Sequence, residues 1–505
     1  MVSRRLESAR RRWRARPWTS LASAALSLAV ITPASGQAQV PPSADSPADL
    51  RQELEREQEH IRSLEQRLAV LEAARREVPD ATSVPPAAGD RLAASLGADG
   101  FALQSADGAN VIRFRGNVSV DGRYFGDATT PATADTWLIR RLRPTLEGTL
   151  ANHFDYRIMP DFGQGKTVVQ DAWADVRVEP WLVLQFGKFK APVGLERLQL
   201  EQYSRFIEPA LTADLLPYRD LGFKVGGALA RGAISYDVGI FDGAPDGGSS
   251  DGNAAPDLNS TGKFTWDGRV FLRPFLGTPW PGVQGLGAGV AVTYARAQGT
   301  ASSSGTTSLL AGYRTTGQQA MFAYRTNSGT GGLNAATVAD GIERRVVPQV
   351  YYYLGPVGLL GEYVQAGQQV ERAVGTGVTR YGTLRQNAWQ LQASWFLTGE
   401  REAYDRAAPK QDFGFGSGGT GAWELVARYH GIHFDNAAFT GATASFANPL
   451  TSVRAAHAVG VGVNWYLTRN FKAQLDYEMT GFAGGAAAGD RGDERVLTSQ
   501  FALIF

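Results

Sequence analysis

The chain predicts an all-β fold: a transmembrane antiparallel β-barrel of 16 strands, preceded by a short N-terminal coiled-coil helix. Segments of alternating apolar and polar residues recur from Asn110 to Phe505, the period of a strand with one greasy face and one wet face. Their connections include tight turns and long Gly-, Ser- and Asp-rich loops, as in barrels with short turns at one end and long loops at the other. Between Trp181 and Ala230, two alternating strands flank about thirty residues of charge and turn formers, which reads as a hairpin whose oversized loop can fold inward.

Composition agrees. A chain of 505 residues with 43% hydrophobic content and 59 glycines suits a large β-protein. Cysteine is absent, which avoids mispaired thiols on passage through an oxidising compartment. The formal charge of +1 is set by the first 38 residues, where seven arginines face Glu7. The remainder is acidic, so no nucleic-acid surface is implied, and any anion preference has to come from local placement of charge.

Residues 1–38 have the three regions of a secretory signal peptide: arginines, the apolar run Leu21 to Ile31, then Ala34-Ser35-Gly36 or Gly36-Gln37-Ala38. The run is too short to span a bilayer. Ser3-Arg4-Arg5 hints at twin-arginine export, but no fitting continuation follows and general secretion is expected. Residues 39–78 hold a heptad seam of Leu50, Leu54, Ile61, Leu64, Leu68, Leu71 and Val78, broken at Glu57 and Arg75. It reads as a weak coiled coil of a small oligomer, a trimer, with a lone solvated amphipathic helix as the alternative. Residues 79–108 form a linker marked by Pro85-Pro86, and 109–505 the barrel.

Candidate strands lie near 110–124, 137–150, 153–162, 168–179, 181–190, 220–231, 232–242, 261–273, 285–298, 341–354, 357–369, 384–398, 420–436, 454–468, 471–482 and 495–505. Loops 243–260, 299–340 and 401–419 are expected at the outer end. In FKAQLDYEM, Phe471, Leu475, Tyr477 and Met479 share one face, and Lys472, Gln474, Asp476 and Glu478 the other. Trp181, Tyr351 to Tyr353, Trp389, Trp395, Trp423, Trp465 and Tyr466 sit near strand ends, where aromatic girdles would place them. The last strand, QFALIF, ends in Phe505 and resembles the terminal signature by which the outer-membrane barrel assembly machinery recognises its clients.

The candidate selectivity residues follow from alternation. In WLIRRLRPTLEGTL, Arg141, Arg143, Thr145 and Glu147 face the lumen. Arg140 would then face lipid, so it must lie at the rim, snorkel, or sit at a local irregularity. Asp171, Trp173, Asp175 and Arg177 share a face of VVQDAWADVRVE, bringing carboxylates among the guanidinium groups. Lys188 and Lys190 precede the long loop, and Arg197, Arg205 and Arg219 lie in it beside Glu196, Glu201, Glu208 and Asp214. Rings of Arg and Lys select anions in narrow pores; ordinary solvated charge in a wet lumen is the alternative. Nothing points to a metal, a cofactor or a catalytic motif: His430 and His433 fall on opposite faces of a strand, and no nucleophile elbow is found. The loop from Asp242, DGAPDGGSSDGNAAPDLN, reads as a flexible external loop rather than a calcium site.

RRLRPTLEGT, VVQDAWADV, LQFGKFKAPVGLE, GFKVGGAL, FLTGE (Phe396 to Glu400), GAWELVARY (Gly421 to Tyr429) and VGVNWYLT (Val461 to Thr468) resemble the phosphate-selective porin family, that of porins O and P. The resemblance implies a trimeric 16-stranded barrel with a long third loop in the lumen and passive, anion-favouring conduction. It puts the family's paired strand arginines on Arg140 and Arg141, its constriction acid on Asp171 and its loop lysine on Arg197. Leu200 and Glu201 stand where phosphate-binding members have a serine pair, and Pro209 where they have a later arginine. Both departures bear on phosphate selectivity and not on membership.

The expectation is an outer-membrane porin, inserted in lipid as a homotrimer, that passes small hydrophilic anions such as phosphate or pyrophosphate. Arg140, Arg141, Arg143, Lys188, Lys190 and Arg197 would lower the barrier for an anion, and Asp171 would fix their geometry. The alternatives are a general or differently selective diffusion pore, a barrel protease or lipase, and an envelope tether using the coiled coil.

Overall fold

In the computed structural model, residues 92–505 are described except 98–99, 127–134, 251–263, 303–304, 327–334, 406 and 417. The expected signal peptide and heptad seam, and residues 79–91 of the expected linker, lie outside the described residues.

Sixteen strands close into one antiparallel barrel. They are β1 Val111–Phe125, β2 Thr136–Leu150, β3 Phe154–Asp161, β4 Val168–Glu179, β5 Leu182–Lys190, β6 Arg219–Leu229, β7 Ile234–Phe241 and β8 Thr265–Leu272. The second half comprises β9 Leu286–Gln298, β10 Thr337–Leu354, β11 Val357–Gly375, β12 Val378–Phe396, β13 Ala422–His433, β14 Val453–Tyr466, β15 Phe471–Ala486 and β16 Glu494–Ile504. Closure is made by β16 on β1, from Val496 opposite Phe125 to Ile504 opposite Asn117. Each expected strand is present. A short hairpin, Ala93–Gly97 and Gly100–Gln104, was not expected; its second arm pairs with the start of β1.

Burial follows the two-residue pleat with its sense inverted relative to a soluble sandwich. Along β15, Lys472, Gln474, Asp476, Glu478 and Thr480 are buried, while Leu475, Tyr477 and Met479 are exposed to the outside. Trp181, Trp395 and Trp423 are likewise exposed, but Tyr351 and Tyr466, expected in the girdles, are buried. They fall on the lumen face by strand parity.

Parity also corrects one loop. Strands alternate in direction, so the connections 191–218, 242–264 and 299–336 leave one end, with the connection 434–452. The connection 397–421, expected at that end, follows an even-numbered strand and lies at the other, with the tight turns at 151–153 and 355–356.

The lumen is unevenly filled. Segments of 299–336 and 434–452 fold inward, where Phe322 and Phe434 stack at 4.1 Å. They pack with Val364, Leu384, Ala388 and Ile432 of the wall and with Leu215 and Leu216 of the loop 191–218 in one apolar cluster. This burial, about 2 kcal/mol for each large side chain, closes the side of the lumen formed by β9 to β15.

Candidate functional site: a charged constriction

The loop 191–218 enters the lumen at Gly194, whose φ of +76° only glycine adopts without penalty. A Cβ there would also lie 2.6 Å from Leu216 Cδ1. Beyond it, short helical turns at Leu195–Leu198, Glu201–Tyr203 and Leu211–Leu215 keep the loop compact.

Polar side chains of successive strands then hold it against the wall. Arg345 of β10 donates to Leu215 O at 2.9 Å, and Glu362 of β11 accepts from Leu195 N. Gln390 of β12 donates to Thr212 Oγ1 and Glu196 Oε2, both at 3.0 Å. Arg428 of β13 donates to Glu208 O at 2.8 Å, and His430 Nδ1 accepts from Leu211 N at 3.0 Å. Asn464 of β14 donates to Arg205 O at 3.0 Å, and Lys472 of β15 to Ser204 O at 2.7 Å. Each bond contributes on the order of 1 kcal/mol net. Their number explains how a loop with little regular structure is fixed across a wet lumen.

What remains open is a cavity of about 400 Å³ between the loop and the opposite wall. Seven cationic side chains line it, Arg115, Arg143, Arg157, Lys190, Arg219, Lys224 and Arg269, against five acidic ones, Glu147, Asp171, Asp175, Glu201 and Asp237. Most are joined in one ladder of alternating sign. Glu147 binds Arg115 at 3.2 Å and Arg157 at 2.6 Å. Asp171 lies 3.7 Å from Arg157 and 2.8 Å from Arg219, and Arg219 continues to Glu201 at 3.3 Å. The Glu201 carboxylate also takes Arg141 at 2.9 Å, Arg143 and the Tyr218 hydroxyl. Burial alone would raise Glu201, but Arg143, Arg141 and Arg219 outweigh it and hold the carboxyl well below the usual range.

The expected residues are divided by this geometry. Arg143, Asp171 and Lys190 line the cavity, and Arg141 reaches its edge through Glu201. Arg140 sits at a register shift, where Ser119 pairs with Arg141 and Val120 with Ile139. The extra residue turns Arg140 inward to Glu208 at 3.0 Å and Asp121 at 3.8 Å. Glu208 is shared with Arg123 at 2.5 Å, and the arginines hold it below its usual range although burial opposes them. Lys188 is buried opposite Ala172 and Leu221 and is not among the cavity-lining residues. Lys190, the last residue of β5, turns in with the loop and donates to Gln199 O at 2.7 Å. Arg197 also lies off the cavity. It donates to Ala213 O at 2.8 Å and Gly247 O at 2.9 Å, over the Tyr218 ring, tying the loop to the neighbouring connection.

Sequence reasoning did not single out Arg115, Arg157, Lys224 and Arg269. Each is on the lumen parity of its own strand, as Arg157 is with Asp155 and Met159 in FDYRIMPD, so the signal was alternation applied strand by strand. Lys224 binds Asp237 at 3.0 Å. Arg269 donates to Gln349 at 3.1 Å over the ring of Phe271.

No curated protein matches the chain. Among solved structures, OmpT of Vibrio cholerae, an outer membrane protein, has 11% identity over 79% of this chain and 98% of that one, with a TM-score of 0.48. The outer membrane channel DcaP of Acinetobacter baumannii has 10% identity over 79% and 98%, with a TM-score of 0.48. OmpF of Salmonella typhi, in complex with daunomycin, has 11% identity over 79% and 98%, with a TM-score of 0.44. A family model described as phosphate-selective porin O and P matches residues 112–486. That match runs from the second residue of β1 to the last of β15, and the chain accordingly belongs to the phosphate-selective porin O and P family, the porins of the outer membrane.

Proposed function

We propose that this porin gives passive, anion-favouring diffusion of small hydrophilic solutes, and that it holds phosphate only weakly. One observation carries the reading: the guanidinium groups of Arg141, Arg143 and Arg219 converge on the carboxylate of Glu201, carried in by the loop. The cationic excess of the lining lowers the barrier for an anion. The donors that could wrap a phosphate are already taken by a tethered anion of the chain itself. Asp171 keeps Arg219 and Arg157 aimed along the wall. Lys190 and Arg269 line the cavity and have no ion-pair partner among the described residues, so no carboxylate of the chain competes with a passing anion for them.

Export by a signal peptide over 1–38, insertion by the barrel assembly machinery and assembly as a homotrimer complete this reading. Their support is the leader composition, the terminal QFALIF strand and the heptad seam. Single-channel recording with chloride, phosphate and larger anions in competition tests it. Chloride current little reduced by phosphate is expected; block at low phosphate concentration would favour a true phosphate site.

A further inference from the structure

The connection 397–421 leaves β12 at the short-turn end and folds back inside the barrel. Glu402 N donates to Gly355 O at 2.8 Å, and its carboxylate takes Ser394 Oγ at 2.6 Å and the Arg205 guanidinium. Arg205, fully buried, also meets Glu424 at 2.9 Å. Two residues on, the Tyr404 hydroxyl donates to Leu195 O, and Gln199 donates to Tyr404 O. The ring packs on Tyr351 at 5.4 Å, is 6% exposed and lines the cavity. A segment from the turn end thus meets the loop from the opposite end, and Arg205 is bonded to both.

We propose that Tyr404 is a size-determining residue of the pore, the tip of a segment from the short-turn end that narrows the same cavity as the loop 191–218. Steric exclusion in a wet pore is set by its narrowest sections and the groups that line them. A ring held at its hydroxyl, at its own carbonyl and on its face has little freedom to swing aside. The phenol carries no charge near neutral pH, so it filters by size, while the arginine ladder filters by sign. The inference needs an open channel and does not depend on the anion preference.

The test is Tyr404→Ala in the full chain, recorded in planar bilayers with polyethylene glycols of graded size. Unit conductance should rise and the polymer cut-off shift to larger sizes, with the reversal potential in a salt gradient unchanged. An unchanged conductance and cut-off would overturn the proposal, as would a shifted reversal potential with the cut-off unmoved. A second variant keeps the proposal falsifiable if the first fails to fold. The chain contains no cysteine, so Tyr404→Cys offers one thiol to a charged methanethiosulfonate reagent. Stepwise loss of current, faster from the short-turn side, is expected; no loss, or loss only from the long-loop side, refutes it.

Discussion

Arg141 of the barrel wall and Glu201 of the inward loop lie 2.9 Å apart, so a guanidinium that could meet a permeating anion is neutralised by a carboxylate of the same chain. Arg143 and Arg219 converge on that carboxylate too. On the proposed function, selectivity is a residual, the difference between a dense set of cations and the acids threaded through it.

Removing the tethered anion should sharpen the preference. In Glu201→Gln the three guanidinium groups regain free donors. One unit charge about 6 Å from a permeating ion in water contributes about 0.7 kcal/mol, of opposite sign for anion and cation, so their permeability ratio should move by up to about tenfold at low salt. The gain should shrink as salt approaches molar, where the Debye length is about 3 Å. Permeability ratios of the variant at two salt concentrations check this, and phosphate should now reduce chloride current.

Neutralising the two cations without ion-pair partners should act in the opposite sense. Lys190→Gln and Arg269→Gln each remove positive charge from the cavity without stranding a buried carboxylate. Each should lower the anion preference by a comparable factor, and the two should add where they do not share a neighbour. Reversal potentials of the single and double variants decide it; no change in any of them would place the ion path elsewhere.

Arg205 is buried between Glu402 and Glu424, and those carboxylates hold its guanidinium above its usual range although burial opposes them. Arg205→Met strands both acids, a local cost of about 3–5 kcal/mol. The loop and the 397–421 segment should loosen while the strand ladder persists. Expected readouts are noisier open-channel current and new protease cleavage within 195–215, with retained heat-resistant barrel content.

Acid and base should loosen the loop for different reasons. Glu201 is depressed when folded, so its contribution is present above about pH 4.3 and is lost as pH falls through the lower folded value. Asp214 is pushed up to about 7, chiefly by burial against the opposing pull of Arg197. Its contribution is therefore fully present below about pH 3.9 and lost as pH rises through about 7. Protection factors over 211–215, taken relative to the intrinsic exchange rate at each pH, should be lower at pH 8 than at pH 5, and Asp214→Asn should flatten that difference.

Every barrel strand was legible because the signal is the two-residue period, which reports local pleat and not distant contacts. Which end a loop leaves depends on counting strands, so 401–419 was misplaced although its flanking strands were read correctly. Arg140 shows a second kind of limit. Alternation demanded an irregularity there, but its form depends on pairing with Ser119 and Val120. In the constriction, Arg141, Arg143 and Asp171 were readable from face and charge. The positions of Lys188 and Arg197 off the cavity depend on how β5 gives way to the loop. Tyr404 was invisible, since it reaches the lumen only through a connection that folds back on contacts some two hundred positions away in sequence, at Leu195 and Gln199.

The most direct measurement of the central claim is the zero-current potential of the purified porin in a planar bilayer across a tenfold potassium chloride gradient. A potential of the sign for chloride preference, reversed or abolished by Arg141→Glu with Arg143→Glu, is predicted. A potential of the sign for potassium preference in the unaltered protein would contradict it.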